Sequence, residues 1–291
     1  MAEPFATSIE GDIVAGPLRR PRNAAKNEKG SIHEDATALK LGFRGGTVAG
    51  SLHMEQFPPL LEHLFGEQWW DTGGLSLYFR YATTDREGVQ AFGIVPHSNR
   101  TEVWMDDQRG TRIADGTANV RGLDPESALR QRIEAVPAAT DLRILDGLTA
   151  GTRACDFEAR IDKQLLDERL AVITEPCSAY SKESAWGRPV LPPSLMVRAM
   201  RALEPGLLDH ASPAVGLFGA IEVQHINGPV FADTTYRVRG SVLAASDTPQ
   251  TEYLWYESTL YNDGGDVASM LMMLRFMKAS SPLWSEELAD S

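Results

Sequence analysis

The ten residues FRGGTVAGSL at positions 43–52 decide the fold, because a similar stretch, WGRPVLPPSL, returns at positions 186–195. Each stretch has an aromatic residue, then small and basic turn residues, then a short apolar step. Each ends in Ser-Leu and leads into sequence with a helical pattern. Self-similarity of this kind predicts two tandem copies of one structural unit.

In each copy a helical pattern is followed by strand patterns. Apolar residues recur at helical spacing after Ser51, with Pro58 and Pro59 predicting a kink or a restart. A second, more regular helical pattern runs over 195–207. Apolar and charged residues alternate in the segments that follow, with turn signals between them, as in an antiparallel sheet with one covered face. These segments are 75–81, 89–95, 101–105 and 112–120 in the first copy, and 217–226, 235–243, 252–260 and 267–277 in the second.

The fold class expected from this order is α+β, with each half an antiparallel sheet wrapped round a central helix. We expect the halves at 1–122 and 153–291, joined by a connector at 123–152 that is partly helical around 126–135. Each sheet alone leaves one face without a second cover. Pairing of the halves into a pseudo-dimer would cover it.

Composition narrows the possible partners of the chain. It has 291 residues, 43% of them hydrophobic and 23% charged, which is typical of a globular protein. The net charge of -12 argues against nucleic acid or an anionic membrane as a partner, although it leaves room for a local basic pocket. The two cysteines, Cys155 and Cys177, form neither a disulfide framework nor a metal motif.

Targeting signals are absent from the sequence pattern. The first sixteen residues show no basic start and no apolar stretch, so we expect no signal peptide. No apolar run approaches the roughly 20 residues that span a bilayer. We therefore expect a cytoplasmic protein without a membrane partner.

The segment from Asn27 to Leu52 carries the chemistry. His33 lies where a loop meets helical sequence, and Gly50 directly precedes the main helix, so that its backbone N–H has no intrahelical partner. A histidine and a loop carboxylate can hold a water molecule, while such amides can stabilise an oxyanion. This suits addition or loss of water beside a carbonyl. Spacing alone also fits a capping histidine and a plain glycine turn, because the run 42–50 matches neither a P-loop nor a dinucleotide motif.

This segment resembles the MaoC-like, R-specific enoyl-CoA hydratase/dehydratase family, whose members have the hotdog fold. His33 matches the family's catalytic histidine, with Ile32 and Asp35 as its neighbours, and Phe43 and 50–52 match a later element of the pattern. The stretches 186–190 and 216–230 of the second half are also similar to elements of the family. The resemblance implies a tandem double hotdog. It also implies a lyase that hydrates an enoyl thioester or dehydrates a 3-hydroxyacyl thioester on CoA, with no metal or redox cofactor.

The chain departs from the family pattern at several positions. Glu28 stands where the family has its catalytic aspartate, Gly30 and Ser31 replace Asn-Pro, and Ala49 replaces a histidine. The stretch 178–184 contains no histidine, so we expect the second half to be catalytically degenerate.

The resemblance also assigns roles to individual residues. His33 would be the general base and acid, Glu28 would orient or share the water, and the Gly50 N–H would lie in the oxyanion hole. Further candidates are the substrate-binding residues Ser31, Ser51, His53 and Gln56, and the arginines Arg19, Arg20 and Arg22, which could bind CoA phosphates.

Three other functions remain open at this point. They are a thioesterase, a lyase that acts on a small molecule without a thioester, and a non-catalytic subunit that binds acyl thioesters. A homodimer and a monomer are both reasonable for a chain that already contains its own pseudo-dimer.

Overall fold

The structure, a computed structural model, describes residues 7–284, so the first six residues of the N-terminal segment discussed above lie outside it. Eleven strands form one antiparallel sheet, in the order β1-β2-β4-β5-β6-β3-β8-β11-β10-β9-β7. The strands are β1 (Ser8–Glu10), β2 (Ile13–Ala15), β3 (Gly74–Phe79), β4 (Val89–Ile94), β5 (Arg100–Asp107), β6 (Arg112–Asn119), β7 (Arg153–Arg160), β8 (Gly216–His225), β9 (Thr235–Asp247), β10 (Thr251–Asn262) and β11 (Gly265–Met277).

The sheet has an internal pseudo-twofold axis between β3 and β8. These two strands pair antiparallel, with Gly74–Tyr78 opposite Ala220–Gln224. Outward from this junction, β6, β5, β4 and β2 on one side correspond to β11, β10, β9 and β7 on the other. The structure therefore confirms the predicted α+β architecture of two similar halves joined as a pseudo-dimer.

The two central helices and the connector helix lie where the sequence pattern places them, whereas the helix at Lys163–Leu170 was not predicted. The first central helix ends at Met54 and restarts at Pro58, as the two prolines predict. Its counterpart in the second half runs through a short 3₁₀ turn at Arg201–Leu203 without such a break. The helices are α1 (Asp35–Lys40), α2 (Gly50–Met54), α3 (Pro58–Phe65), α4 (Gln68–Thr72), α5 (Ala128–Glu134), α6 (Lys163–Leu170), α7 (Pro193–Met200) and α8 (Glu204–Leu207).

The central helices of the two halves touch each other. The helix α2 packs against α7, and their apolar side chains enter one continuous core with the covered faces of the strands. The core includes Phe57 and Leu61 from the first half and Leu195 and Met200 from the second, all essentially inaccessible to water. The loops that begin these helices are thereby brought together.

The sequence pattern misses the outer strands of the sheet. Strands β1 and β2 have three residues each, too few to show alternation. Strand β7 lies at the opposite edge and is largely exposed, and its pairing with β9 is interrupted near Asp156, which has a positive φ. An exposed edge strand needs no apolar face, so its sequence looks like a loop.

The connector packs across the junction of the two halves. Its helix α5, which falls within the predicted helical stretch, contacts β3 and β8. Ser127 Oγ donates to Glu222 Oε2 at 2.5 Å, and Arg130 Nε donates to Glu222 Oε1 at 3.1 Å. Glu222 is buried, so this carboxylate fastens the connector to the centre of the sheet. The division of the chain at 122 and 153 remains a prediction.

Replacing Glu222 by alanine should destabilise the protein. The change leaves Arg130 and Ser127 without their acceptor in a buried place, which costs about 2 kcal/mol or more of unfolding free energy. Urea denaturation of Glu222→Ala beside Glu102→Ala, an exposed carboxylate on β5, measures the difference. Equal midpoints for the two variants would show that the connector is not fastened in this way.

Candidate active site

One large cavity, of about 1070 Å³, is lined by both halves of the chain. The first half contributes the loop that carries His33, the start of α2 and the end of β3. The second half contributes the exposed side of α7 and the residues after it. Of the seven predicted site residues, six line this cavity: Glu28, Ser31, His33, Gly50, Ser51 and His53.

His33 is held in one tautomer by a backbone carbonyl. Its Nδ1 lies 2.7 Å from the carbonyl oxygen of Thr47. A carbonyl oxygen can only accept, so Nδ1 carries the proton and donates. Nε2 is then the unprotonated nitrogen of the neutral ring, and it has no partner within residues 7–284. The ring is half-buried and lines the cavity, where Nε2 can act as a base.

The backbone around His33 is fixed by short-range contacts. Asn23 Nδ2 donates to the carbonyl of His33 at 2.7 Å, and Gly46 N donates to Asp35 Oδ1 at 2.7 Å. Thr47 N donates to the carbonyl of Ile32 at 2.9 Å. A Cβ at Gly46 would lie 2.2 Å from the His33 carbonyl oxygen, so only glycine permits this close approach. Gly46 thus allows the segment 43–49 to lie directly against the loop that carries His33.

Two backbone amides at the start of α2 face the same cavity. The N–H groups of Gly50 and Ser51 have no acceptor within the described part of the chain, and both residues line the cavity. A Cβ at Gly50 would lie 2.8 Å from the ring of Phe79, so a larger residue would have to displace that ring. Free amides beside an unprotonated histidine nitrogen provide both a base and an anion stabiliser.

Glu28 shares the cavity with His33 but does not contact it. Its side chain is exposed, and within residues 7–284 its carboxylate makes no hydrogen bond. Its backbone carbonyl accepts the hydroxyl of Ser31 at 2.8 Å, and that hydroxyl oxygen accepts the N–H of His33 at 3.2 Å. Ser31 therefore shapes the loop that joins the two candidate groups.

The other predicted binding residues have different surroundings. His53 is fully buried, and its Nε2 lies 2.7 Å from Thr83 Oγ1. Burial lowers the pKa of His53 to about 4, so the ring is neutral near pH 7. Ser51, which follows Gly50 at the start of α2, lines the cavity as predicted. Gln56, in contrast, is buried away from the cavity, because it lies in the break between α2 and α3, and the structure does not bring it to the site.

Arg19 and Arg20, two of the three arginines predicted near the N-terminus, already have protein partners. Arg19 is buried and forms an ion pair with Glu175, with Nε 2.5 Å from Oε1. Arg20 donates to the carbonyl of Arg86 at 3.2 Å and to Gln108 Oε1 at 3.0 Å. The prediction that these arginines bind CoA phosphates is therefore wrong for Arg19, whose guanidinium is taken up inside the protein.

The second half has the same backbone frame as the first. Val190 N donates to the carbonyl of Ala179 at 2.8 Å, as Thr47 N does to Ile32. Leu191 N donates to Val230 at 2.8 Å, as Val48 N does to Thr83 at 2.9 Å. The residue after Ala179, which corresponds to His33, is Tyr180. The residues that correspond to Gly50 and Ser51 are Pro193, which has no N–H, and Ser194.

Glu55 fills this second frame. Its side chain crosses from the first central helix, and its Oε1 accepts the N–H of Ser194 at 2.7 Å. Burial raises the pKa of the Glu55 carboxyl to about 7, although the hydrogen bond from Ser194 opposes this. Tyr180, also buried, lies nearby. At the places equivalent to His33, Gly50 and Ser51 the second copy thus has Tyr180, a proline without an N–H, and an amide that is already bonded. That the second half is catalytically degenerate remains a prediction.

Potential metal ligands are scattered rather than clustered in the described part of the chain. Among residues 7–284 no group of three or more His, Cys, Asp or Glu side chains is arranged to hold one. In the same part of the chain no helix is both long and apolar enough to cross a membrane.

Solved structures share this architecture. A putative MaoC domain protein dehydratase from Chloroflexus aurantiacus J-10-fl superposes with a TM-score of 0.62 at 12% identity, over 94% of this chain and 95% of that one. The chain is a double hotdog. A conserved hypothetical protein from Mycobacterium tuberculosis, itself with a double hotdog fold, gives 0.59 at 11% identity, over 94% and 96% of the two chains. The dehydratase domain of PpsC from Mycobacterium tuberculosis, solved in complex with C12:1-CoA, gives 0.53 at 15% identity, over 95% and 98%.

Sequence comparison adds no closer relative. No family model matches the chain, and no curated protein matches it. The resemblance to MaoC-like proteins is confirmed at the level of the double hotdog fold.

The pKa of Glu55 should give the protein a pH-dependent stability. A carboxyl whose pKa is raised on folding contributes stability below its unfolded pKa of 4.5, and this stability is lost as the pH rises through about 7. The variant Glu55→Gln keeps an acceptor for Ser194 and does not titrate. Its unfolding free energy relative to wild type should therefore rise by about 3 kcal/mol between about pH 4 and pH 8.

Urea denaturation at a series of pH values measures this difference. The exposed Glu102→Gln serves as the control and should show no such slope. A constant difference between Glu55→Gln and wild type would mean that folding does not change the pKa of Glu55, whereas a slope of the opposite sign would mean that folding lowers it.

Proposed function

We propose that the protein is a hydro-lyase that hydrates an enoyl thioester or dehydrates a 3-hydroxyacyl thioester. The observation that carries the proposal is the bond between His33 Nδ1 and the Thr47 carbonyl, which leaves Nε2 unprotonated in the cavity that Gly50 and Ser51 also line. A base and a pair of amide donors in one cavity are what this reaction requires.

In the hydration direction a water molecule would lie between Glu28 and His33. His33 Nε2 removes one proton from it while the oxygen bonds to the β-carbon of the substrate. The displaced electron pair moves to the thioester oxygen, where the N–H groups of Gly50 and Ser51 stabilise the enolate. The imidazolium of His33 then returns its proton to the α-carbon. Dehydration follows the same steps in reverse.

Glu28 is the more exposed of the two candidate residues. Its carboxylate is not consumed by any hydrogen bond in the described residues, and the same cavity holds it and His33. It can therefore accept a hydrogen bond from the water and orient it. Its extra methylene, relative to the aspartate of the family pattern, gives it the reach that its place on an exposed loop requires.

A thioester substrate is supported by the size and lining of the cavity. Its volume of about 1070 Å³ lies at the upper end of the range for small-molecule sites, which accommodates a long acyl carrier. Dehydratases occur among the solved structures with this fold, and one of them was solved with an acyl-CoA. Fold likeness supports a reaction class without fixing it, so the site geometry carries the proposal.

Turnover of enoyl thioesters by His33 variants tests the proposal. Purified protein is incubated with trans-2-enoyl-CoAs of increasing chain length, and loss of the conjugated double bond is followed by absorbance. We expect wild type to hydrate at least one of them. His33→Gln should lower kcat/KM by about 100-fold or more, because it removes the base. His97→Ala, an exposed histidine outside the cavity, is the matched control.

The possible results separate the proposal from its alternatives. Equal turnover by wild type and His33→Gln would remove His33 from the mechanism. Binding of the whole panel without hydration would favour the non-catalytic subunit or another reaction on the same scaffold, such as thioester hydrolysis.

A further inference from the structure

The cavity is cationic although the protein as a whole carries a net charge of -12. Its lining includes five arginines but only two carboxylates, those of Glu28 and Glu204. A cavity lined by one sign of charge concentrates ligands of the opposite sign. The basic lining is therefore a feature of the site that the hydration chemistry alone does not require.

Three of the five arginines have polar partners in the protein. Arg80 pairs with Asp115, with Nη2 2.8 Å from Oδ2, and Arg201 pairs with Glu204, with Nη2 2.7 Å from Oε2. Arg275 donates to the hydroxyl of Tyr78 at 2.7 Å. These side chains are held by neighbours.

Arg169 and Arg198 are different. Within residues 7–284 neither guanidinium has a hydrogen-bond or ion-pair partner, yet both line the cavity. The pKa of Arg169 is lowered by its burial, and the nearby charge of Arg198 acts in the same direction. The buried Glu55 acts in the opposite direction, but its own pKa of about 7 leaves it partly protonated. Two guanidiniums that line one cavity and have no hydrogen-bond or ion-pair partner among the described residues can donate to an anionic ligand.

The pseudo-twofold axis relates Arg198 to Glu55. Glu55 lies four residues after Ser51, and Arg198 lies four residues after Ser194, the counterpart of Ser51. Glu55 crosses to the start of α7 and accepts the N–H of Ser194. By the same symmetry we infer that Arg198, which is exposed, extends from α7 towards the start of α2; Arg198 and Ser51 both line the one cavity.

The two frames differ in the charge at one pair of equivalent positions, Glu55 and Arg198. In the second half the place beside the helix start holds a carboxylate, which satisfies the amide of Ser194. In the first half the corresponding side chain is the cation of Arg198. The first frame therefore gathers only donors: the amides at the start of α2, Arg198 and, close by, Arg169. An acceptor from outside the protein would complete it.

We propose that Arg169 and Arg198 bind a carboxylate that the acyl chain of the substrate carries, so that the preferred substrates are thioesters of dicarboxylic acids. This rests on the proposed thioester function and specifies its substrate class. A short acyl chain would place its free carboxylate on the two guanidiniums while the thioester oxygen meets Gly50 and Ser51.

The CoA phosphates carry the same kind of charge but are less suited to this place. If Arg198 extends towards the start of α2, as the symmetry implies, it lies near the place where the reacting carbons would be in the proposed reaction. The long pantetheine arm keeps the phosphates far from those carbons. The carboxylate of the acyl chain is the anion that can be near both.

Equilibrium binding of saturated thioesters tests the proposal without depending on turnover. Glutaryl and pentanoyl thioesters have the same chain length and differ in the terminal carboxylate. Each is prepared on CoA and on N-acetylcysteamine, which has no phosphate. Titration calorimetry then gives Kd for wild type, Arg169→Gln, Arg198→Gln and the control Arg153→Gln. Arg153 is exposed on β7, makes no ion pair in the described residues and lies outside the cavity.

We expect wild type to bind the glutaryl thioester more tightly than the pentanoyl one on both carriers. Each cavity variant should lower that preference by about tenfold or more, while Arg153→Gln leaves it unchanged. Circular dichroism and melting curves confirm that each variant is folded.

Three results would overturn the proposal. The first is that the variants weaken the binding of both thioesters equally, which would assign the arginines to the thioester group itself. The second is that their effect follows the presence of CoA rather than of the carboxylate, which would assign them to the phosphates. The third is that wild type shows no preference for the glutaryl thioester. In each case the thioesters still bind and the proposed function stands, whereas failure of every thioester to bind would remove the proposed function as well.

Discussion

The antiparallel pairing of β3 with β8 is the constraint on which the rest of the molecule depends. Five residue pairs, from Gly74–Gln224 to Tyr78–Ala220, turn two sheets into one and set a pseudo-twofold axis between them. Because of that axis, α2 and α7 pack against each other, and Glu55, at the end of α2, reaches the start of α7. The cavity, the filled second frame and the open first frame all follow from this arrangement.

The two halves have kept the frame and diverged in what occupies it. The backbone hydrogen bonds around Thr47 recur around Val190, which shows that the loop before each central helix folds in the same way. In the second half Pro193 removes an amide, Tyr180 stands in the place of the histidine, and Glu55 covers the amide that remains. The side chain that fills the second frame, Glu55, comes from the first half, so the occupancy of one frame depends on the sequence of the other half.

Local patterns predicted much of the fold. The repeat of FRGGTVAGSL as WGRPVLPPSL identified both central helices, and alternation identified eight of the eleven strands of the described chain. The same patterns could not show β1, β2 and β7, because short or exposed edge strands bury no regular apolar face. His33 and Gly50 could be proposed from the sequence because both lie in one contiguous segment that resembles a family motif, although its spacing alone also fitted a capping histidine and a plain turn.

The arginines of the site and Glu55 were missed because their roles depend on contacts between distant parts of the chain. Nothing in the sequence near Arg198 or Arg169 points to a cavity, and Glu55 reads as an ordinary charge on a helix. One signal was present: the repeat places Glu55 opposite Arg198, two charges of opposite sign at equivalent positions. Gln56, predicted as a pocket residue from its neighbourhood alone, shows the limit of sequence proximity, because the break between α2 and α3 buries its side chain away from the cavity.

The central claim is that the Thr47 carbonyl fixes the ring of His33 with its proton on Nδ1 and leaves Nε2 free as the base. Long-range ¹H–¹⁵N correlation spectra of the ¹⁵N-labelled protein, with the His33 signals assigned by their absence from His33→Gln, report which ring nitrogen is protonated. The account predicts the Nδ1–H tautomer for the neutral ring. A neutral ring protonated on Nε2 would contradict it, because that nitrogen could not then accept a proton from water.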